Sequence, residues 1–377
     1  MLRHSSCETL TTIVSLDDNN HSNRTLEESN NIFNVQEDTV SLASSISTLD
    51  YDFEGSIQEE TIDVFRSETQ KKIRNIFNFF PKLINFENLP DWLKDNQFIR
   101  SGYRAPSDSI KYVFFSLIQF HNETINIWTH LVGSIMFFSA CIWVMSRPNN
   151  LVPANVKWIF LPFFLGSIMC MTCSAAFHLF FFKSQKFGAI FSKLDYSGIA
   201  LLIIGSFIPW IYFVFECQPH LVIIYISMIT VIGILAVIVS LFDKFAQPRF
   251  RPLRAGIFLT MGLSAIFPGI HLLLIESWDI IVEKELLKWN IIMGSLYVIG
   301  ALQYALRIPE RFCMGKFDYL FHSHQFFHIF VVIAASLHFY GISRVTVNKI
   351  SSGSCEEQAI EILLEFNKNT YKLLLKC

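Results

Sequence analysis

The amino-acid sequence predicts an all-α membrane protein built as a bundle of seven transmembrane helices. Hydrophobic residues make up 52% of the 377 residues and charged residues only 16%, whereas soluble proteins carry about 25% charged residues. The apolar residues are concentrated in seven runs separated by short polar loops. The net charge of −2 gives no general attraction for polyanions, so we expect no nucleic-acid partner.

Each apolar run is long enough to form one membrane-spanning helix, which needs about 20 residues. Tryptophans lie near several run ends, as aromatic residues do at membrane interfaces. Pro209 and Pro268 lie inside the third and fifth runs, and we expect both to kink their helices. The predicted spans are 127–145, 158–182, 196–215, 221–242, 255–275, 289–306 and 320–342.

Lysine and arginine are more frequent in the loops on the N-terminal side of the bundle than in the opposite loops. Because cytoplasmic loops carry the excess of these residues, we predict a cytoplasmic N-terminus and an extracellular C-terminus. The plasma membrane is the expected location, although the loop charges do not distinguish it from internal membranes. G-protein-coupled receptors have the reverse orientation. The loops on the N-terminal side carry Lys183, Lys186, Lys193, Lys244, Arg249, Arg251, Arg254, Arg307, Arg311 and Lys316, and the opposite loops carry Arg147, Lys157, Lys284 and Lys288.

The segments outside the seven spans differ in composition. Residues 1–75 are rich in Ser, Thr, Asn, Asp and Glu and are predicted to be a disordered cytoplasmic region. Apolar and charged residues then alternate, which predicts an amphipathic juxtamembrane segment over residues 76–125; an ordinary surface helix would show this pattern equally well. The transmembrane domain is predicted over residues 126–342, and residues 343–377 are predicted to form an extracellular tail.

Five polar side chains are predicted to lie at one depth, near the inner membrane surface. Ionisable groups inside apolar spans are costly and are functional candidates by default. The order of the spans puts Ser174 and His178 at the inner end of the second span, and Asp195 at the start of the third. His324 and His328 lie in the first turns of the seventh span, one turn apart on one helical face.

Two histidines one turn apart and a third histidine from another helix are the ligand set of an open zinc site. His178, His324 and His328 are therefore predicted to bind Zn²⁺ and to leave its fourth position to water, whose pKa the metal lowers. Asp195 is predicted to accept a proton from that water. Ser174 is predicted to hold the water, a substrate carbonyl or a ligand imidazole.

The histidine pair has two alternative roles that the residues alone leave open, namely hydrogen bonding between helices and a proton relay. An ion or proton transporter is disfavoured, because the polar groups cluster at one depth and do not cross the bilayer. His121 and His130 also lie on the inner side and compete as metal ligands.

Seven stretches of the sequence carry a resemblance to a known family: Leu89–Asn96, His121–His130, Ser174–His178, Phe191–Ala200, Arg307–Arg311, Ser323–His328 and His338–Gly341. Together they resemble the progestin and adipoQ receptor family, and its adiponectin-receptor branch in particular. The resemblance extends over about residues 89–341 and leaves out the N-terminal region.

The resemblance implies seven helices with a cytoplasmic N-terminus, zinc held by His178, His324 and His328, and Asp195 and Ser174 beside the zinc-bound water. It also implies a role in lipid metabolism and a ceramidase activity, which hydrolyses the ceramide amide to sphingosine and a fatty acid. The first hypothesis is thus a receptor-like zinc hydrolase of a membrane lipid. The alternative is a non-enzymatic hormone or lipid receptor with structural zinc. An extracellular protein ligand and a cytoplasmic adaptor are the expected protein partners.

Overall fold

The computed structural model of the chain describes residues 64, 66–69, 82–242 and 248–351. The chain divides into two units, residues 1–81 and 82–377, and the features below all belong to the second. Nearly all of the predicted disordered region 1–75, and the predicted tail beyond residue 351, lie outside the described residues.

Seven helices in the described residues are long and apolar enough to cross a membrane, which confirms the predicted fold class. No β-strand occurs among the described residues, although Ile84 and Tyr103 form an isolated bridge. The membrane helices are α1 (Thr124–Met145), α2 (Ala154–Phe180), α3 (Gln185–Val214), α4 (Pro219–Ser240), α5 (Arg251–Leu263 and Ile266–Ile275), α6 (Lys288–Leu306) and α7 (Ser323–Ser351). Shorter helical segments are Phe86–Asn88, Asp91–Leu93, Ile110–Phe115, Pro248–Phe250 and Trp278–Glu283.

We call the end of the bundle where α1, α3, α5 and α7 begin the proximal end. That this end faces the cytoplasm stays a prediction.

Helix α3 begins 11 residues before the predicted span, at Gln185 instead of residue 196. The Ser184 hydroxyl caps this start by accepting a hydrogen bond from the Phe187 amide at 3.3 Å. The first turns carry lysines, so an apolar window does not detect them. Asp195 was expected to open the third span but lies about three turns inside its helix.

Helix α7 begins at Ser323 and extends beyond the predicted end at residue 342. The Gln325 side chain, in the first turn of α7, accepts a hydrogen bond at 2.6 Å from the backbone amide of Phe321, which precedes the helix. Near its other end, the Ser343 and Thr346 hydroxyls donate to carbonyls one turn back in the same helix. These bonds satisfy the hydroxyls within the helix, so polar residues do not end it.

The two prolines singled out from the sequence behave differently. Helix α5 is interrupted at residues 264–265, four residues before Pro268, where the proline ring would crowd the Ser264 carbonyl. Helix α3 continues through Pro209 without interruption. A kink at either proline stays a prediction.

Helices α2 and α3 approach closely because glycines face each other's backbones. A Cβ atom on Gly166 would lie 2.5 Å from the Leu201 carbonyl oxygen, and one on Gly198 would lie 2.8 Å from the Cys170 Cα atom. Small residues allow membrane helices to pack at this distance. The Gly198 contact lies one turn from both Ser174 and Asp195, so it fixes the spacing between those two side chains.

The segment before α1 packs on the proximal end of the bundle. The Asp318 carboxylate, in the loop before α7, accepts hydrogen bonds from the Arg100 amide at 2.8 Å and the Ser101 hydroxyl at 2.6 Å. Buried Glu310 in the same loop accepts from the Asn96 amide group at 3.1 Å. Apolar side chains of the segment also form one buried cluster with side chains of α1 and of the end of α2. Its members are Leu89, Leu93, Ile99, Tyr103, Tyr112 and Val113 from the segment, Ile127 from α1, and Leu179 and Phe182 from the end of α2 and the residues after it.

Candidate metal centre

Three histidines from two helices meet at the proximal end of the bundle. His178 lies near the end of α2, and His324 and His328 lie in the first two turns of α7. One ring nitrogen from each lies within 4.8 Å of the other two. The Nε2 atoms of His178 and His324 are 3.0 Å apart. The three histidines predicted to share one ion are thus close enough in space to do so.

Two of the rings are held by hydrogen bonds on the side away from this meeting point. His178 donates from Nδ1 to the Glu123 carboxylate at 2.7 Å, and His328 donates from Nδ1 to the Asn126 carbonyl at 3.0 Å. A neutral imidazole that donates from Nδ1 has its lone pair on Nε2. The Nε2 lone pairs of these histidines are therefore free to bind a cation.

The donor set fits a divalent transition-metal ion. Four tetrahedral ligands at about 2.0–2.1 Å from zinc stand roughly 3.3 Å apart, which is close to the 3.0 Å between the His178 and His324 nitrogens. Three neutral imidazoles also leave a fourth coordination position, as catalytic zinc sites do. A carboxylate behind a ligand histidine, here Glu123 behind His178, is a common feature of such sites.

Glu123 is the main residue of the site that the sequence pattern did not predict. Glu123 immediately precedes the first residue of α1. Burial opposes the ionisation of its carboxyl group, but the charge of His178 and its hydrogen bond hold the pKa of Glu123 below the usual range. Asn126 donates to the same carboxylate oxygen at 2.5 Å. Its signals in the sequence are an acidic residue at the start of an apolar run and its place in the stretch His121–His130 that carries the family resemblance.

Arg104 fixes the backbone of the helix end that carries His178. Its guanidinium donates to the carbonyls of His178 and Leu179, at 2.5 and 3.3 Å, and lies 4.1 Å from the Phe182 ring centre. Burial lowers the pKa of Arg104 to about 10. A cation at a helix C-terminus is favourable, so Arg104 holds the α2 end in place.

Asp195 and Ser174 lie together on α3 and α2. The Ser174 hydroxyl hydrogen-bonds to the Asp195 carboxylate, and both side chains are buried. Asp195 borders the same cavities as the histidines without belonging to the group of three. This position suits a proton acceptor beside the metal better than a ligand.

Neither of the two competing histidines belongs to the group of three. The ring nitrogens of His121 contact the Ser116 carbonyl at 3.0 Å and the Glu123 amide at 3.1 Å, and burial lowers its pKa to about 3. His130 stacks on His328, with 3.7 Å between ring centres. It therefore packs against a candidate ligand.

Two cavities meet at this centre. An apolar cavity of about 740 Å³ runs from Ser174 and Asp195 into the bundle. A second cavity, of about 1360 Å³, lies at the proximal end and is more polar. Residues that border both are Asp195, Tyr196, Arg254, Tyr304 and His324.

The apolar cavity is lined by side chains of both α5 and α6, and six of these side chains are exposed. The exposed lining residues are Leu263, Ile266, Ile270, Leu273, Ile291 and Ile299.

Comparisons with known proteins agree with this architecture. Residues 118–339 match the model of a family described as haemolysin-III related. The chain is 44% identical over 288 residues to the adiponectin receptor protein of Drosophila melanogaster, covering 76% of this chain and 65% of that protein. It is 44% identical over 286 residues to progestin and adipoQ receptor-like protein 1 of Caenorhabditis elegans, covering 76% and 66%. It is 38% identical over 295 residues to heptahelical transmembrane protein 3 of Arabidopsis thaliana, covering 68% and 85%. The match thus spans just under two thirds of the first two relatives.

Proposed function

Because the chain belongs to the haemolysin-III related family, which includes the progestin and adipoQ receptors, we propose that it is a receptor-like zinc hydrolase of membrane lipid amides. The substrate class is ceramide or a related lipid, cleaved to a sphingoid amine and a fatty acid. One observation carries this proposal: the three histidines and Asp195 lie where an apolar cavity meets a polar one.

The residues divide the chemistry between them. His178, His324 and His328 would hold the ion, and the Glu123 carboxylate would fix the orientation of the His178 ring. When bound, zinc would polarise the amide carbonyl and make water acidic enough to attack at neutral pH. The net reaction adds water across the amide, so the carbonyl carbon gains a hydroxyl group and the C–N bond breaks.

Asp195 is the proposed proton carrier. Its carboxylate would accept the proton of the attacking water and deliver it to the leaving amine. The Ser174 hydroxyl, which hydrogen-bonds to the Asp195 carboxylate, would fix the direction of that carboxylate. Burial at this junction would keep bulk water away from the reacting groups.

The cavities fit a lipid amide. The hydrocarbon chains would enter between α5 and α6, whose exposed apolar side chains border the 740 Å³ cavity, and would occupy that cavity. The polar head would lie toward the proximal cavity, where the Arg254 guanidinium and the Tyr304 hydroxyl hydrogen-bond to each other. This arrangement would place the amide bond beside the histidines.

The proposal is tested on the purified full-length chain by elemental analysis and a ceramide hydrolysis assay on the same samples. Wild type is expected to hold about one zinc ion per chain and to release fatty acid. His324→Ala is expected to lose the zinc, and Asp195→Asn to keep the zinc but lose turnover. Equal hydrolysis by wild type and Asp195→Asn would falsify the assigned role of the carboxylate.

A second function is favoured by the fact that the histidines come from two helices. An ion held by His178 and His324 would tie α2 to α7 and stabilise one conformation of a receptor without chemistry. An extracellular protein ligand and a cytoplasmic adaptor at the plasma membrane would then carry the signal. Retained signalling by an Asp195→Asn variant, with no hydrolysis by wild type, would favour this function over the first.

A further inference from the structure

Helix α3 is longer than a membrane span requires. Its 30 residues correspond to about 45 Å, whereas the hydrocarbon core of a bilayer is about 30 Å thick. After Asp195 the helix carries no charged residue, while its first nine residues carry Lys186 and Lys193. The excess length therefore lies at the start of α3, at the depth of the lipid headgroups on the proximal side.

The first turns of α3 expose apolar side chains at this depth. Phe187, Ile190 and Leu194 follow each other at spacings of three and four residues, so they share one helical face, and all three are exposed. Lys186 is exposed one turn before Ile190, and the Lys183 ammonium lies 4.5 Å from the centre of the Phe187 ring. A surface that is both apolar and basic is typical of segments that lie in the headgroup region of a membrane.

A row of phenylalanine rings joins this face to the segment before α1. The ring centres of Phe187 and Phe191 are 6.2 Å apart, and Phe191 lies 5.1 Å from Phe180 at the end of α2. Phe180 lies 6.0 Å from Phe114, which belongs to the six-residue helix before α1 and is 54% exposed. Lys111 of the same short helix is also exposed. We call the following residues the interfacial patch: Lys111, Lys183, Lys186, Phe114, Phe180, Phe187 and Phe191.

The positive charge of the interfacial patch is not neutralised within the described residues. Residues 109–122 and 179–194 contain no Asp or Glu. None of the three lysines forms an ion pair with another described residue. Lysines beside exposed apolar groups pack their hydrocarbon stems on the apolar surface and attract anionic headgroups. The predicted orientation also puts this end in the cytoplasmic leaflet, which carries the anionic lipids.

We propose that the interfacial patch binds the headgroup of an anionic phospholipid from the surrounding membrane. The lysines meet the headgroup oxygens, and the exposed phenylalanines meet the upper part of the acyl chains. A lipid is favoured over a protein adaptor, because the exposed apolar side chains continue along a membrane helix at headgroup depth. Binding of this lipid needs neither a metal ion nor hydrolysis, so the inference is independent of the proposed function.

The experiment titrates the purified full-length chain with a phosphatidylserine and, separately, with a phosphatidylcholine that has the same acyl chains. Native mass spectrometry counts the bound lipids one at a time and gives the affinity for the first. A lysine near an anionic surface contributes up to about fivefold in affinity. Wild type is therefore expected to bind phosphatidylserine about tenfold more tightly than phosphatidylcholine, with a preference that falls as the salt concentration is raised.

Two triple variants of the patch separate its charge from the fold. The combination of Lys111→Gln, Lys183→Gln and Lys186→Gln is expected to reduce the preference for phosphatidylserine to below about twofold. Replacement of the same three lysines by arginine keeps the charge and is expected to keep the preference.

A third triple variant is the matched control, and it combines Lys82→Gln, Lys94→Gln and Lys316→Gln. These lysines also lie in the segments at the proximal end, and, like those of the patch, two are exposed and one is half-buried. They make no cation–π contact among the described residues. The control is expected to keep the preference, although it loses the same charge.

Three results would overturn the inference. Equal binding of the two lipids by wild type would mean that the patch does not select anionic headgroups, and the predicted cytoplasmic adaptor would then be its better occupant. A preference that survives the glutamine variant of the patch would place the lipid elsewhere. An equal loss in the patch and control variants would show that the charge of the whole proximal end, and not this patch, attracts the lipid.

Discussion

Replacing Glu123 is expected to weaken metal binding without removing a metal ligand. Its carboxylate accepts a hydrogen bond from His178 Nδ1 at 2.7 Å, and the His178 ring is 3% exposed. His328 is held instead by the Asn126 carbonyl, which no side-chain substitution removes. His178 is therefore the ligand whose orientation depends on a replaceable group.

The expected magnitude follows from the type of bond that is lost. Groups that orient metal-bound imidazoles typically contribute about 10–100-fold in metal affinity, which is about 1.4–2.7 kcal/mol. In Glu123→Gln the amide oxygen can still accept from His178, but a neutral acceptor gives roughly half the bond strength. We expect about a tenfold loss for Glu123→Gln and nearer a hundredfold loss for Glu123→Ala.

The assay is competition for Zn²⁺ between the purified chain and a chromogenic chelator. Glu87→Gln serves as the control, because Glu87 lies in the segment before α1, is exposed, and pairs only with exposed Arg100 at 2.7 Å. It is expected to leave zinc affinity unchanged. Unchanged affinity in Glu123→Ala would show that the His178 ring is oriented by something other than this carboxylate, and the reasoning about the site would be wrong.

The remaining predictions concern helix packing and metal linkage. Gly198→Val is expected to destabilise the fold by about 1–3 kcal/mol, because its Cβ atom meets α2 backbone at 2.8 Å, whereas Gly256→Ala, with nothing within 4 Å, is expected not to destabilise it in the same thermal unfolding assay. In Arg104→Lys one ammonium nitrogen replaces the two guanidinium nitrogens that bond the His178 and Leu179 carbonyls separately, and the change is expected to cost about 2 kcal/mol; an unchanged melting temperature would contradict this role. A chelator is expected to lower the melting temperature of wild type, since an ion at about 100 times its dissociation constant stabilises by about 2.7 kcal/mol, and to leave His324→Ala unaffected; an equal shift in both would place the ion elsewhere.

The sequence was sufficient to predict the seven helices because a membrane span is a property of about 20 consecutive residues. It was less informative at helix ends. The start of α3 depends on the Ser184 cap and on lysine-bearing turns, and neither changes the hydropathy of the apolar run. The extension of α7 depends on hydroxyls that bond within their own helix.

The same distinction applies to the candidate site. The spacing of His324 and His328 is local and puts both rings on one face of any helix. The contact between Glu123 and His178 joins residues 55 positions apart and depends on where two helix ends meet. The cavity was unpredictable in detail, because residues facing lipid and residues facing the core are both apolar in a membrane protein.

The origin of the three histidines in α2 and α7 has a consequence for biosynthesis. His178 and His324 are 146 positions apart, and α7 is the last membrane helix of the described chain to leave the ribosome. A nascent chain that ends before α7 offers one of the three imidazoles, which is too few to retain a metal ion against competing cellular chelators. If the site binds an ion as proposed, metal loading would therefore be a late step, and metal content would distinguish fully assembled molecules from truncated or incompletely inserted ones.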